Sequence, residues 1–152
     1  MSLSLRNSYF SLSLPVGWND ASEADAIAFA NPTTGEELIV GVHTFVRPLS
    51  KLESTGVTWD LVQQRAKACG QLANGTLEVL EAVQPSEEAQ TAIGGFSGHD
   101  KLNRVYCQAK VVGQKNFAVS FSYYKHSYTA PNREVEMQAR EILNACLVAA
   151  DA

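Results

Sequence analysis

The residues of this chain that could do chemistry crowd closest in Gly95-Phe96-Ser97-Gly98-His99-Asp100, which brings a serine, a histidine and an aspartate together. Serine hydrolysis needs a histidine to take the serine proton and an aspartate to orient that histidine. The segment misses the Gly-x-Ser-x-Gly elbow, because His99 stands where the second glycine belongs. On a strand, Ser97 and His99 share a face and Asp100 points away, so the three form no relay among themselves. The segment reads first as a glycine-kinked strand end, and no catalytic residue is assigned. Ser97, His99 and Asp100 stay as the alternative: the site of a small-ligand-binding or hydrolytic domain. That reading requires a cavity of about 300 Å³ or more with convergent polar groups.

Tyr123-Tyr124-Lys125-His126-Ser127-Tyr128 is richer as a recognition surface. Exposed tyrosines give large contact area at low entropic cost, so Tyr123, Tyr124, Lys125, His126 and Tyr128 are the candidate partner-binding residues. The plainer reading is a strand end whose tyrosines cap the core. His43, His99 and His126 show no metal-ligand spacing, and Gly94-Gly95 has no following Lys-Ser/Thr to hold a phosphate. Neither metal nor cofactor is expected. Cys69, Cys107 and Cys146 are odd in number and widely spaced, which suits separate buried thiols over a disulfide and favours a reducing compartment.

Composition excludes several classes. At 152 residues, 45% apolar and 18% charged, the chain can bury a core as one domain, residues 1–152, with no metal or disulfide needed. A net charge of −4 with no basic run argues against nucleic acid. No apolar stretch approaches the ~18 residues of a membrane helix, and no signal peptide follows Arg6. Met1-Ser2-Leu3 fits a vector-derived start. Localisation is cytoplasmic from the sequence as it stands, and periplasmic or lipid-anchored if a signal was trimmed.

The elements that must carry these residues follow from periodicity. Phe10, Leu12 and Leu14 alternate with serines as a first strand, Leu14-Pro15-Val16-Gly17 reads as a type I turn, and Trp18 covers the strand end. Asp25 to Ala30 and Glu37 to Phe45 form a hairpin around Asn31-Pro-Thr-Thr-Gly35. Leu38, Val40 and Val42 on one side and Ile39, His43 and Phe45 on the other make its second strand central. After a connector over 48–56, Thr58 caps a helix that ends at Asn74-Gly75. Asn74-Gly75-Thr76 also matches a glycosylation acceptor, which means nothing without a secretory context. Thr76 to Val83, bracketed by Gly75 and Pro85, favours a strand over a helix, and Gln90 to Gly98 is a strand with a bulge or close backbone approach at Gly94-Gly95.

Leu102 to Ala150 reads strand, turn, strand, loop, helix. Parity argues for a three-residue loop, Gly113 to Lys115, pairing Val111 with Phe117 and Cys107 with Phe121, if only one face is covered. After Pro131, the residues Val135, Ala139, Ile142, Cys146 and Ala149 fall on one helical face, and Glu136 and Arg140 form a solvated pair. The order is three strands, helix, four strands, helix, in one domain with no repeat or linker.

Phe10-Ser-Leu-Ser-Leu-Pro-Val-Gly-Trp18 resembles the strand and Leu-Pro-x-Gly-Trp opening of the PsbP-like and DcrB-like families. Arg104-Val-Tyr-Cys-Gln-Ala-Lys, Asn116-Phe-Ala-Val-Ser-Phe-Ser and the closing helix are similar to their last strands and C-terminal helix. The resemblance implies an α+β fold: a mostly antiparallel sheet of about six or seven strands flanked by helices, an α/β/α sandwich. Members of these families bind partners and include a photosystem subunit, a nuclear-import factor that binds the small GTPase Ran, bacterial envelope lipoproteins and effector chaperones. No residue role transfers. Fold does not fix function. The resemblance implies a non-catalytic protein-binding module, an adaptor, chaperone or assembly factor of a bacterial kind, with a protein partner of unknown identity and a homodimer possible.

Overall fold

The computed structural model describes residues 2–72, 77–85, 91–100, 105–129 and 132–150. The expected helix end at Asn74-Gly75, its glycosylation acceptor, Gln90, Arg104 and Pro131 lie outside them. Among the described residues, ten strands and two helices follow in order: β1 (Leu3–Arg6), β2 (Phe10–Leu14), β3 (Asn19–Asp20), β4 (Ile27–Asn31), β5 (Glu36–Thr44), α1 (Lys51–Leu72), β6 (Leu77–Val83), β7 (Ala92–Asp100), β8 (Val105–Gly113), β9 (Phe117–His126), α2 (Arg133–Asn144) and β10 (Cys146–Val148).

The main sheet is antiparallel with seven strands in the order β3-β4-β5-β9-β8-β7-β6. One face packs against α1, through Leu61, Val62 and Cys69 on Phe96, Val105, Cys107, Ala109 and Val111. The other face carries a second layer made of α2 and a small sheet, β1-β2-β10. Phe10, Leu12 and Leu14 point into this core as their alternation requires, with Phe10 edge-on to Phe121 at 5.9 Å. The β5 strand is central, with Leu38 and Val40 in one core and Ile39 and Phe45 against the other. This is the expected α+β fold, with a small sheet added to one outer layer.

Both faces being covered corrects the last hairpin. Cys107 pairs with Tyr124, Val111 with Ser120 and Gly113 with Ala118, so an even-length turn over Lys115-Asn116 replaces the three-residue loop. The apolar rows of β8 and β9 therefore lie on opposite faces: Cys107 and Val111 toward α1, Phe121 and Tyr123 toward α2. Gly113 is needed for packing: a Cβ there would collide with Thr58 Oγ1 and stand 3.0 Å from Ser54 Oγ, both on α1.

Four further expectations shift. The first helix begins seven residues before Thr58, because Ser50-Lys-Leu-Glu53 forms a capping box. Ser50 Oγ accepts from the Glu53 amide and Glu53 Oε1 accepts from the Ser50 amide, each at 3.1 Å. Thr58 is buried inside that helix and donates to Ser54 O. The turn after β2 uses Val16 and Gly17, and Gly17 takes φ 101°, the positive value a type II turn places at its third position. The bulge falls at Leu80 in β6, while Gly94 and Gly95 pair regularly. Finally, α2 stops at Asn144 and the chain turns into β10, which pairs with β2. The half-buried Lys110 ammonium holds that junction, donating to Leu143 O and Cys146 O at 2.6 Å each.

The cysteines correct the sequence reading most sharply. Cys69 of α1 and Cys107 of β8 form a disulfide across 38 residues, with Cα atoms 6.6 Å apart. Neither is exposed to solvent beyond 1%. Cys146 is the free, buried cysteine, and burial pushes its thiol up to about 12, which makes it inert.

Candidate functional site

Each outer layer covers only part of the main sheet. On the second face, the small sheet and α2 cover β4, β5, β9 and part of β8, and β7 and β6 extend beyond them. A groove of about 470 Å³ opens there, between the edge strand β6 and α2. Leu80, Glu81 and Val83 form one wall, Glu136 and Arg140 the other, and Ser97, Tyr106 and Gln108 lie on the floor between them. Gly95 keeps the floor flat, since a Cβ there would come within 2.5 Å of Ala109 O.

The walls mix apolar surface with charge. Leu80 and Val83 are each 46% exposed, and Ile93, on the same face of β7, is half exposed. The expected Glu136–Arg140 pair is not formed. The close ion pairs among the described residues are Arg47–Glu53 and Glu37–His126, so both groove charges remain available to a ligand. On the floor, the Tyr106 hydroxyl donates to Gln108 Oε1 at 2.9 Å, with Ser97 beside it. Burial first, then the Glu136 charge, raises the Tyr106 pKa, so this hydroxyl stays protonated as a fixed donor.

The Ser97–His99–Asp100 cluster is divided as strand geometry requires. Ser97 faces the groove beside Tyr106. His99 points to the same side, but its Nδ1 lies 2.9 Å from Asp100 O and its ring leans on Tyr128 at 5.9 Å. Asp100 is buried on the other side, with Oδ1 accepting from the Val105 amide at 3.3 Å. Among the described residues no base reaches Ser97, and the three residues do not make a nucleophile, base and orienter.

In the Tyr123–Tyr128 stretch the plainer reading holds, tyrosines that cap the core, and the exposed tyrosine surface does not form. Tyr123, Tyr124 and Tyr128 are 1%, 7% and 2% exposed, so their rings are core. Even covering of the sheet is the reason: Tyr123 turns toward α2, Tyr124 toward α1. The Tyr123 hydroxyl donates to Glu36 Oε2 at 2.6 Å, and burial with that carboxylate raises its pKa. The Tyr128 hydroxyl accepts from the Asn132 amide. Lys125 is spent on Thr34 O and His126 O, and His126 pairs with Glu37 at 2.9 Å.

Among the described residues no three His, Cys, Asp or Glu gather as a metal site, and no helix is long and apolar enough to cross a membrane. Sequence reasoning missed the groove. Its signal was faint: exposed Leu80 and Val83 on a strand bounded by Pro85.

No family model matches the chain, and no curated protein matches it. Among solved structures, the solution structure of cyanobacterial PsbP (CyanoP) from Synechocystis sp. PCC 6803 superposes with a TM-score of 0.64 at 17% identity, over 98% of this chain and 92% of that one. A crystal structure from Bacteroides thetaiotaomicron VPI-5482 matches with a TM-score of 0.49 at 13% identity, over 93% of this chain and 46% of that one. The fold is PsbP-like; the DcrB-like side of the resemblance is not shown by these structures.

Proposed function

We propose, from the PsbP-like fold and this groove, that the chain is a non-catalytic protein-binding module, one domain over 1–152, that seats a partner segment between β6 and α2. The groove carries the reading: apolar Leu80 and Val83 line it on an outermost strand, beside Glu81, Glu136 and Arg140. Exposed apolar side chains rimmed by charge favour a macromolecular partner. A PsbP-like fold is compatible with an accessory role of this kind. The Cys69–Cys107 disulfide supports an oxidising compartment, the reverse of what cysteine spacing favoured.

The test is affinity purification from the native organism with wild type and with Leu80→Asp/Val83→Asp. Both positions are half exposed, so the variant should melt with wild type. A near-stoichiometric protein recovered by wild type and lost with the variant supports the module. Equal recovery by both removes the groove from it.

A second reading is favoured by the floor. Ser97, Tyr106, Gln108 and Arg140 converge in a volume above the ~300 Å³ typical of ligand sites, so a small polar ligand would occupy the same groove. Heteronuclear NMR against a metabolite mixture distinguishes the two: saturable shifts at Gln108 and Ser97 with no protein partner favour the ligand.

A further inference from the structure

A strand at the edge of a sheet presents a row of backbone N–H and C=O groups, and proteins blunt such edges with lysine, proline, a very short strand or a covering segment. The main sheet ends in two such edges. At one, β3 is only two residues long. At the other, β6 runs for seven residues with neither lysine nor proline. Among the described residues its one pairing partner is β7.

The two faces of β6 differ in character. Residues opposite each other in an antiparallel pair share a face. Glu78, Glu81 and Val83 stand opposite His99, Ser97 and Gly95, which puts them on the groove side. The register shift at Leu80 turns it to the groove beside Glu81. Val79 and Ala82 stand opposite Gly98 and Phe96, on the α1 side. All six side chains are exposed. One face of this edge is thus acidic over an apolar base, and the other is apolar alone. Adding a strand would bury both and pair the backbone row in the same step.

Charge selects the strand that fits. From Ala68 to Asp100 the sequence holds five Asp and Glu and no Lys or Arg. Glu136 lies across the groove from Glu81, and Arg140 is the one cation among the groove's lining residues. A second copy of this chain would set Glu78 and Glu81 of each β6 against those of the other, and like charges in facing strands repel. We propose that β6 takes up an extended segment of a partner protein as a further strand of the main sheet, and that this segment alternates apolar residues with Lys or Arg. Its cations face Glu78, Glu81 and Glu136 while their alkyl stems cover Leu80 and Val83. Its apolar residues lie beside Val79 and Ala82. The inference rests on the groove as a partner site and specifies what enters it.

The test is NMR titration of the full chain with a synthetic peptide of the length of β6 that alternates valine and lysine. One control peptide has glutamate for every lysine. A second keeps the lysines and carries N-methyl groups on the backbone amides that would face β6. The expected result is saturable movement of the β6 amides, with slowed hydrogen exchange at those directed away from β7. The glutamate peptide should bind about tenfold more weakly, through lost cross-strand ion pairs. The N-methylated peptide should also lose about tenfold or more, through lost main-chain hydrogen bonds. Glu78→Lys/Glu81→Lys, at exposed positions, should melt with wild type and reverse the charge preference. Equal binding of the lysine and glutamate peptides, or undiminished binding of the N-methylated one, overturns the proposal. So does a dimer in sedimentation whose β6 amides are already protected without peptide, which assigns the edge to a second copy. A native partner lost with Leu80→Asp/Val83→Asp while the lysine peptide fails to bind leaves the groove standing and removes strand addition alone.

Discussion

Reducing the Cys69–Cys107 bond should cost this domain a large share of its stability. The bond closes a chain segment of 38 residues, and loop-closure entropy of that length corresponds to about 4 kcal/mol. Domains are stable by roughly 5–15 kcal/mol in total. Both sulfurs lie in the core between α1 and the sheet, with Val62, Phe96 and Val111 around them. Reductant should therefore reach them only through unfolding. The assay is urea denaturation followed by circular dichroism, on oxidised protein, reduced protein and Cys69→Ala/Cys107→Ala. With a urea slope of about 2 kcal/mol per molar, the reduced protein should unfold roughly 2 M earlier. The double alanine should fall slightly further, having lost two thiols of packing as well. Thiol titration of denatured, unreduced protein should find Cys146 alone. Three titrating thiols, or coincident midpoints for oxidised and reduced protein, would refute both the pairing and its energetic role.

Ile142→Asp puts a carboxylate into the core under α2, where Ile142 is 2% exposed. The loss should exceed about 4 kcal/mol, and a melting temperature within a few degrees of wild type would contradict the packing. Gly113→Ala forces a methyl against Thr58 and Ser54; it should destabilise by roughly 1–3 kcal/mol, read as a drop in urea midpoint, whereas a turn glycine with open space would tolerate it. His43 has its pKa lowered from 6.5, first by burial and then by the Arg65 charge. The unfolded chain therefore binds the proton more tightly. Stability is complete above about 6.5 and is lost as pH falls through the lower folded value. His43→Gln should flatten that part of the pH–melting curve, with Arg65 of α1 the charge that acts on it.

The parts legible in sequence were those that depend on one short segment. Phe10, Leu12 and Leu14 alternate because a single face of β2 is buried, and β5 shows its central place by being apolar on both sides. Errors arose where a local pattern had two meanings. Thr58 looks like a cap, while the true box at Ser50 was hidden by Pro48 and by Gly56, which stands in open space on α1. Cys146 and Ala149 continue the helical spacing of Ile142 by coincidence, yet Ala145 ends the helix and the chain pairs with β2. The hairpin parity failed because it assumed one covered face. Tyr123 and Tyr124 look like an exposed pair until both faces are known to be packed.

The candidate sites were illegible for a different reason. Leu80 and Arg140 meet across the groove only because α2 stops short of β7 and β6. Where a covering layer ends is a property of the whole sheet order, and no spacing in the sequence encodes it. Cys69 and Cys107 likewise lack any motif spacing, and only the placement of α1 over β8 brings them together.

The most direct measurement is site-specific photo-crosslinking in the native organism, with a photoreactive residue at position 80 or 83 in the groove and at exposed Val46 outside it as a control. The account predicts one dominant protein adduct from positions 80 and 83 that is absent from position 46. Adducts that are the same from all three positions, or none from 80 and 83, would contradict the groove as the binding surface.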